Sequence, residues 1–216
     1  MRGVTSVVGS GGKTTLLRAL SERLPGTVIL TTSTHIYPFQ GMPVLNDPTE
    51  DEVARALEAS RVICVGEPAE EGKLRGCTLA PEVLAGLADH VVVEADGSRM
   101  LPLKAHAAWE PVVPGCSRRC ALVVGASGFG RPVREVVHRP QIFCELAGCG
   151  MDDPASPELV GRVIAAEREV TRADVVVVNQ AEGAERIEMA GRLARELGEP
   201  VVAGSVRDWE FRVLEP

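Results

Sequence analysis

Short apolar runs alternate along the chain with longer segments whose apolar positions recur at helical spacing. Most of the short runs are apolar throughout and rich in Val, as expected for strands that are covered on both faces. Strands are predicted in this way at residues 4–8, 28–32, 61–65, 91–94, 121–125, 175–179 and 201–203. Helices are predicted at residues 14–24, 50–59, 81–88, 156–168 and 182–197. This alternation predicts an α/β fold of three layers, with a mostly parallel central sheet flanked by helices.

Two stretches, residues 36–48 and 97–119, fit neither period, and each contains three prolines. Both follow predicted strands, and long irregular segments at the carboxyl ends of strands are where open α/β sheets build their sites. The chain shows no internal repeat and no convincing linker. We therefore expect a single domain over residues 1–216, with irregular insertions near 36–48 and 97–119.

Composition narrows the class of partner. Of the 216 residues, 45% are apolar and 3% aromatic, which is enough for an aliphatic core. The net charge of −7, without any basic run, argues against nucleic acid and anionic membranes as partners. No apolar stretch approaches membrane-spanning length, and the first residues do not form a signal peptide. We therefore expect a cytoplasmic protein whose thiols are reduced.

A glycine-rich loop, V-V-G-S-G-G-K-T-T at residues 7–15, joins the first predicted strand to the first predicted helix. Glycines let backbone N–H groups turn toward a phosphate chain, and the helix N-terminus adds partial positive charge. In this interpretation Lys13 reaches the β- and γ-phosphates and Thr14 ligates Mg²⁺. The predicted nucleotide-binding residues of the loop are Gly9, Ser10, Gly11, Gly12, Lys13, Thr14 and Thr15. The loop predicts a P-loop NTPase-like fold that binds ATP or GTP with Mg²⁺.

The loop is shorter than the common G-x-x-x-x-G-K-[ST] form, because Val7 stands where that form has glycine. The short form resembles the loop of Mur-type ligases. A glycine turn that joins strand to helix beside an unrelated Lys-Thr pair is the alternative.

Two acids lie at the end of the predicted strand at residues 91–94, and either could supply the carboxylate that Mg²⁺ needs. Glu94 ends the apolar run and Asp96 follows two residues later. Either acid suits a catalytic, Mg²⁺-binding role, and the order of their roles stays open. E-A-D-G resembles the D-x-x-G element of GTPases, in which the glycine N–H, here that of Gly97, meets the γ-phosphate. The alternative is a pair of solvated acids at a strand end.

A base-binding element is predicted after the strand at residues 175–179. N-Q-A-E at residues 179–182 has the placement of the N-K-x-D element of GTPases, in which the Asn braces the glycine loop and the acid contacts guanine. Gln180 and Glu182 replace the Lys and Asp of that element, so base preference stays open. Asn179 and Glu182 as a plain strand exit and helix cap are the alternative.

Other polar residues of strand-end segments are candidates for the acceptor side of a transfer reaction. Those expected to touch substrate are Thr31, Thr32, Thr34, His35 and Arg99. Lys104 is a candidate catalytic residue because its charge would neutralise a transferred phosphoryl group; a solvated loop lysine is the alternative. Cys116 and Cys120, like Cys144 and Cys149, miss the spacing of zinc ribbons, and metal or selenium handling by these thiols stays open.

Further motifs accompany these elements. They are T-T-S-T-H-I at residues 31–36, G-K-L at 72–74, E-A-D-G-S-R at 94–99, L-P-L-K-A at 101–105, E-P-V-V-P at 110–114 and H-R-P at 138–140. With them the chain resembles the YqeC family, accessory proteins of selenium-dependent molybdenum hydroxylases, over nearly all of its length. That family usually has Lys and Asp where this chain has Gln180 and Glu182. The resemblance implies an NTP-dependent step in maturing such a hydroxylase or its cofactor.

Three functions are consistent with these motifs. The first is an NTPase or NTP-dependent transferase. The second is a nucleotide-gated chaperone with little intrinsic turnover, in which loops ordered by the γ-phosphate grip a client or cofactor. The third is a Mur-like ATP-dependent ligase, although the chain lacks room for the further domains of those enzymes.

Overall fold

The computed structural model describes residues 3–216. The fold is mixed α/β, with mostly parallel strands flanked by helices. The chain divides into two compact units. The first unit contains residues 3–7, Thr14–Asp96 and Val112–Cys120. The second unit contains Val8–Lys13, Gly97–Pro111 and Ala121–Pro216.

The strands and helices are numbered in chain order. The strands are β1 (Gly3–Gly9), β2 (Val28–Thr32), β3 (His35–Ile36), β4 (Val44–Asn46), β5 (Val62–Pro68), β6 (Leu74–Arg75), β7 (His90–Glu94), β8 (Leu103–Lys104), β9 (Ser117–Gly125), β10 (Val137–His138), β11 (Val175–Asn179), β12 (Val201–Ser205) and β13 (Glu210–Leu214). The helices are α1 (Lys13–Arg23), α2 (Glu50–Ala59), α3 (Pro81–Leu87), α4 (Val133–Val136), α5 (Pro140–Ala147), α6 (Pro157–Ala166), α7 (Arg168–Thr171) and α8 (Ala184–Leu197). Two 3₁₀ turns lie at Glu70–Gly72 and Ala126–Gly128.

In the first unit β7 lies between β1 and β2, and all three strands run parallel. Glu94, at the end of β7, pairs in register with Val7 of β1 and Thr32 of β2. Every residue of β2 and β7 is buried, which confirms strands covered on both faces. The core of this unit is aliphatic, with α2 contributing Val53 and Leu57 and α3 contributing Leu84. The register therefore brings the carboxyl ends of three buried strands to one edge.

In the second unit β11 pairs in parallel with both β9 and β12, and β13 closes the edge antiparallel to β12. Helices α6 and α8 pack against each other. The two-residue strands β8 and β10 form a separate parallel pair, which sets Lys104 opposite His138. This pair brings two segments that are distant in sequence side by side.

The seven predicted strands are all present, with β9 starting four residues before its predicted start. Helix α2 begins with a capping box, in which Thr49 Oγ1 accepts from the Glu52 N–H and the Glu52 carboxylate accepts from the Thr49 N–H. The prediction of one helix over residues 156–168 is wrong at its end: α6 stops at Ala166, and Glu167, with ψ near 6°, separates it from α7.

Several elements were not predicted from the sequence: the short strands β3, β4, β6, β8 and β10, the strand β13, and the helices α4 and α5. Within residues 3–216, no helix combines the length and the apolar character needed to cross a membrane.

Candidate functional site

The glycine loop lies in the second unit and is wound tightly against β9. Gly9, Gly11 and Gly12 have positive φ angles of 91°, 89° and 126°. The N–H of Ser10 donates to the carbonyl of Val123 over 2.8 Å, and its hydroxyl donates to the carbonyl of Leu101. At Gly11 an added Cβ would overlap the backbone of Gly125. Only glycine fits this position, because the backbone is left-handed and another backbone segment lies against it.

Lys13 bends back over the same loop. Its Nζ donates to the carbonyl of Gly9 over 2.8 Å, and the residue is only 3% exposed. A buried ammonium is costly unless it is held close to hydrogen-bond acceptors. The hydrogen bond to Gly9 therefore holds the Lys13 side chain against the loop.

Asn179, at the end of β11, braces this loop as the sequence predicts. Its Nδ2 donates to the carbonyl of Gly11 over 2.8 Å, and its Oδ1 accepts from the N–H of Val206 over 2.9 Å. The side chain is buried and joins three segments of the second unit: the glycine loop, the end of β11 and the turn after β12. An amide serves here because one group must donate on one side and accept on the other.

Glu182 lies three residues further on and is exposed. Its carboxylate is 3.4 Å from Nη1 of Arg186, a weak surface pair. Beside it opens a groove of about 540 Å³ between the start of α8 and the turn that connects β12 and β13. Its other charged lining residues are Glu188, Asp208, Glu210 and Arg212. The groove is large enough for a small planar ligand, and its rim is mostly acidic.

In the first unit the strand-end acids meet the start of α1. The hydroxyl of Thr14 donates to Oε2 of Glu94 over 3.0 Å. Glu94 is 6% exposed and Asp96 is completely buried, whereas Thr15 faces solvent. Two hard oxygen ligands, one hydroxyl and one carboxylate, are thus side by side, which is the donor chemistry that Mg²⁺ takes from proteins. The arrangement fits a magnesium ion.

The predicted substrate residues of the first unit differ in their roles. Thr31 and Thr32 are buried at the end of β2, and the hydroxyl of Thr32 donates to the carbonyl of Glu94 over 2.8 Å. The hydroxyl oxygen of Thr32 also accepts from the N–H of Thr34 over 3.0 Å. Thr32 therefore fixes the backbone around Glu94. His35 is exposed on the edge strand β3.

The second unit contains an ion cluster, here called the Lys104 cluster: Arg99, Lys104, Trp109, Glu110, His138 and Arg139. Nζ of Lys104 lies 2.7 Å from Oε2 of Glu110 and also donates to the carbonyl of Gly97. Nη1 of Arg139 lies 2.6 Å from the same Glu110 oxygen. The Lys104 side chain is 1% exposed, so it is not the solvated lysine of the alternative interpretation.

The pKa of His138 reflects the positive charges of this cluster. Burial, together with Arg139, Lys104 and Arg99, lowers its pKa from 6.5 to about 4. The imidazole is therefore neutral at pH 7. The predicted site residues included Arg99 and Lys104 but not Trp109, Glu110, His138 or Arg139. The E-P-V-V-P motif contains Glu110, and the H-R-P motif contains His138 and Arg139.

A second pair, of His106 with Glu167, was not predicted as a pair. One carboxylate oxygen of Glu167 is 2.6 Å from the ring nitrogen Nδ1 of His106. The other oxygen accepts from the backbone N–H of His106 over 2.6 Å. Both residues are buried and line a cavity of about 20 Å³ that Gly9, Ser10 and Lys104 also line. The cavity holds a water molecule at most. The two-point contact fixes the orientation of the imidazole.

The six cysteines are all free thiols. Burial and the neighbouring Cys144 raise the pKa of Cys149 to about 11, and burial raises the pKa of Cys64 to about 12. Thiols of this kind stay protonated at pH 7 and are weak nucleophiles and metal ligands. Within residues 3–216, no group of three or more His, Cys, Asp or Glu side chains is placed to hold a metal ion.

Fold and site together define a mixed α/β protein with a braced glycine loop, a strand-end carboxylate and a second cationic cluster. The family model described as YqeC protein matches residues 5–141, and the chain belongs to this family. It is 37% identical over 161 residues to the uncharacterized protein YqeC of Escherichia coli strain K12. That match covers 69% of this chain and 62% of the relative, so the chain spans less than two thirds of the relative's length. The resemblance found in the motifs is thereby confirmed.

Proposed function

We propose that the protein binds a Mg²⁺–nucleoside triphosphate, ATP or GTP, and uses it for hydrolysis or group transfer. The observation that carries this proposal is the braced loop: three left-handed glycines, a buried lysine ammonium, and the Asn179 amide bonded to Gly11. Positive φ angles turn successive backbone N–H groups in one direction, which is how a loop accepts a phosphate chain. The client, by family resemblance, is a selenium-dependent molybdenum hydroxylase or its cofactor.

In this proposal Lys13 exchanges its contact with the Gly9 carbonyl for phosphate oxygens. That exchange replaces a hydrogen bond to a neutral carbonyl oxygen with one to a negatively charged phosphate oxygen. Thr14 and Glu94, already 3.0 Å apart, supply oxygen ligands for Mg²⁺, and the buried Asp96 is the second acid available for that role. Magnesium, when bound, would neutralise phosphate charge.

The base occupies the groove beside Glu182 in this proposal. Asn179 supports this placement, because its two hydrogen bonds tie the glycine loop to the turn that borders the groove. Carboxylates on the rim accept hydrogen bonds but cannot donate them when ionised. We therefore expect a preference for guanine, whose edge presents two adjacent N–H donors, over adenine.

Calorimetric titration with ATP, GTP and CTP in the presence of Mg²⁺ tests the proposal. One triphosphate is expected to bind at micromolar affinity, and Lys13→Ala is expected to weaken it at least a hundredfold, because a charge-assisted contact to phosphate is lost. The chain has three lysines, and Lys73 provides a matched control, since it pairs with Glu71 on the surface. Lys73→Ala should bind like the unaltered protein. Absence of binding for all three triphosphates would contradict the proposal.

A nucleotide-gated switch is the second candidate. It is favoured by Gly97, which begins the segment after Asp96 and whose carbonyl is held by Lys104. A segment whose first carbonyl accepts from a lysine side chain can change its contacts when a γ-phosphate arrives. Steady-state phosphate release distinguishes the two functions: turnover without a client supports the enzyme, and tight binding with negligible turnover supports the switch.

A further inference from the structure

Two arginines of the Lys104 cluster have guanidinium donors that no group within residues 3–216 uses. Arg139 uses one nitrogen, Nη1, for Glu110, and that nitrogen also lies 3.3 Å from Nε2 of His138. Its other two nitrogens, and the whole guanidinium of Arg99, donate to no acceptor in the described part of the chain. Arg99 still lies close enough to His138 to lower its pKa. Both arginines near His138 therefore have donors that a ligand could use.

The backbone at both arginines is left-handed. Arg99 and Met100 have consecutive φ angles of 49° and 60°, and Arg139 has a φ of 65°. Non-glycine residues rarely adopt this conformation, and where it persists it clusters at ligand sites. Neither arginine lies within a regular strand or helix.

The cluster brings several cations together. Arg99, Lys104 and Arg139 each act on His138 as positive charges, and Lys104 and Arg139 share the carboxylate of Glu110. These cations lie together although the whole chain carries −7. A local cationic site in an acidic protein concentrates anions at that place.

An exposed aromatic ring borders the same site. Trp109 is 74% exposed, and the Arg139 guanidinium lies 5.5 Å from the centre of its ring. Large aromatic side chains that face solvent beside cations bind planar rings by stacking. A ligand that uses this ring would therefore need a planar group as well as a negative charge.

We infer that the Lys104 cluster binds the phosphate monoester of a planar organic molecule, with Arg99 and Arg139 on the phosphate and Trp109 against the ring. The assignment deepens the proposed function and rests on it in one respect, since Arg99 and Lys104 are the residues expected on the acceptor side. It names the class of acceptor. A bare oxyanion would use only the arginines, so the two kinds of ligand can be distinguished.

Tryptophan fluorescence tests this inference in the full chain. The chain has two tryptophans, so Trp209→Phe leaves Trp109 as the reporter, and Lys13→Ala in the same chain removes the expected nucleotide site. Phenyl phosphate should quench Trp109 saturably and bind at least tenfold tighter than inorganic phosphate. On binding, the pKa of His138 followed by NMR should rise from about 4 toward 6.5, because a nearby anion stabilises the imidazolium.

Replacing each arginine by asparagine removes the guanidinium charge and keeps a residue type that tolerates the left-handed backbone. Arg139→Asn and Arg99→Asn should each weaken phenyl phosphate binding at least tenfold, since Asn tolerates left-handed backbone. Arg172→Asn is the matched control, because Arg172 is exposed and has a φ of 51° outside the cluster. Thermal unfolding of each variant verifies its fold.

Three results would overturn the inference: no saturable quenching, quenching unchanged in Arg139→Asn, or an unmoved His138. Equal affinity for phenyl phosphate and inorganic phosphate would overturn the role of Trp109. A chain that binds phenyl phosphate but no triphosphate would refute the proposed function alone, and the reverse result would refute the cluster alone.

Discussion

The glycine loop and the Lys104 cluster use the same left-handed backbone with different residues. Each holds a buried lysine against a glycine carbonyl, Lys13 at Gly9 and Lys104 at Gly97. In the loop the left-handed positions are glycines, whereas in the cluster they are Arg99, Met100 and Arg139. Glycine has no side chain, so the loop offers backbone N–H donors. The cluster accepts backbone strain and offers guanidinium donors instead.

This difference gives the two sites different sensitivities to mutation. A loop that works through its backbone fails when a side chain is added, because the added atoms have no space. A cluster that works through side chains fails when a charge is removed. The variants Gly11→Ala and Glu110→Gln use these opposite sensitivities.

The largest effect is expected for Gly11→Ala. The new Cβ would overlap the backbone of Gly125 and the carbonyl of Pro102, neither of which can move easily. We expect a loss of roughly 3–5 kcal/mol in the free energy of unfolding, measured in urea. The control is Gly130→Ala, which has a φ of 76° but no neighbour closer than 4.0 Å, and should cost about 1 kcal/mol. Equal losses for both variants would show that close approach of the backbone is not what requires glycine at position 11.

Glu110→Gln makes the cluster more positive. Lys104 and Arg139 would lose the carboxylate they share, at side-chain exposures of 1% and 19%, and the expected cost is about 3 kcal/mol. Phosphate should then bind more tightly, because the competing carboxylate is gone, and should restore part of the lost stability. Urea unfolding with and without phenyl phosphate measures both effects. Glu135→Gln, in an exposed pair with Arg131, should change stability by less than about 0.5 kcal/mol.

If phenyl phosphate instead stabilised Glu110→Gln no more than the unaltered protein, the cluster would be a structural ion network without a ligand.

Asn179→Ala is expected to have a smaller effect on stability and a clear effect on nucleotide affinity. The variant leaves the Gly11 carbonyl and the Val206 N–H without their buried partner, which should cost about 2 kcal/mol. Asn46, the other asparagine of the chain, is exposed, and Asn46→Ala provides the control. Urea unfolding and triphosphate titration should separate the two variants. An unchanged triphosphate affinity in Asn179→Ala would show that the Asn179 hydrogen bonds are not needed for triphosphate binding.

The loop was predictable from the sequence because its physics is local. Glycines between a buried strand and a helix indicate a left-handed turn, and Asn179 ends a run of valines that can only be a buried strand. The register of parallel strands then places Glu94 beside the end of β1, as the alternation of strands and helices implied.

The cluster was predictable only in part. Lys104 was a candidate, but its partner Glu110 and the second cation Arg139 are joined by contacts that no local pattern encodes, Arg139 and Glu110 being 29 residues apart. The pair of His106 and Glu167 spans 61 residues for the same reason. Strands of two residues, such as β8 and β10, are too short to show any period. They nevertheless bring Lys104 opposite His138.

The smallest effect is expected from His138, and it tests whether the cluster is cationic in solution. The folded pKa of about 4 lies below the ordinary value of 6.5, so the unfolded chain binds more protons between these values. Stability should therefore be greatest above pH 6.5 and should fall as the pH drops from 6.5 toward 4. After allowance for solvent screening of this half-buried ring, the expected loss is about 1 kcal/mol.

Urea unfolding at pH 7.5 and pH 5 measures this loss, and His138→Gln should remove it, because Gln does not titrate. His35→Gln, at an exposed position, should keep the full pH dependence. Phenyl phosphate should flatten the dependence in the unaltered protein, since an anion beside the imidazole brings the folded and unfolded pKa values together. A pH dependence that is the same in His138→Gln would assign it to other groups. It would also remove the support that the low pKa gives to an excess of positive charge in the cluster.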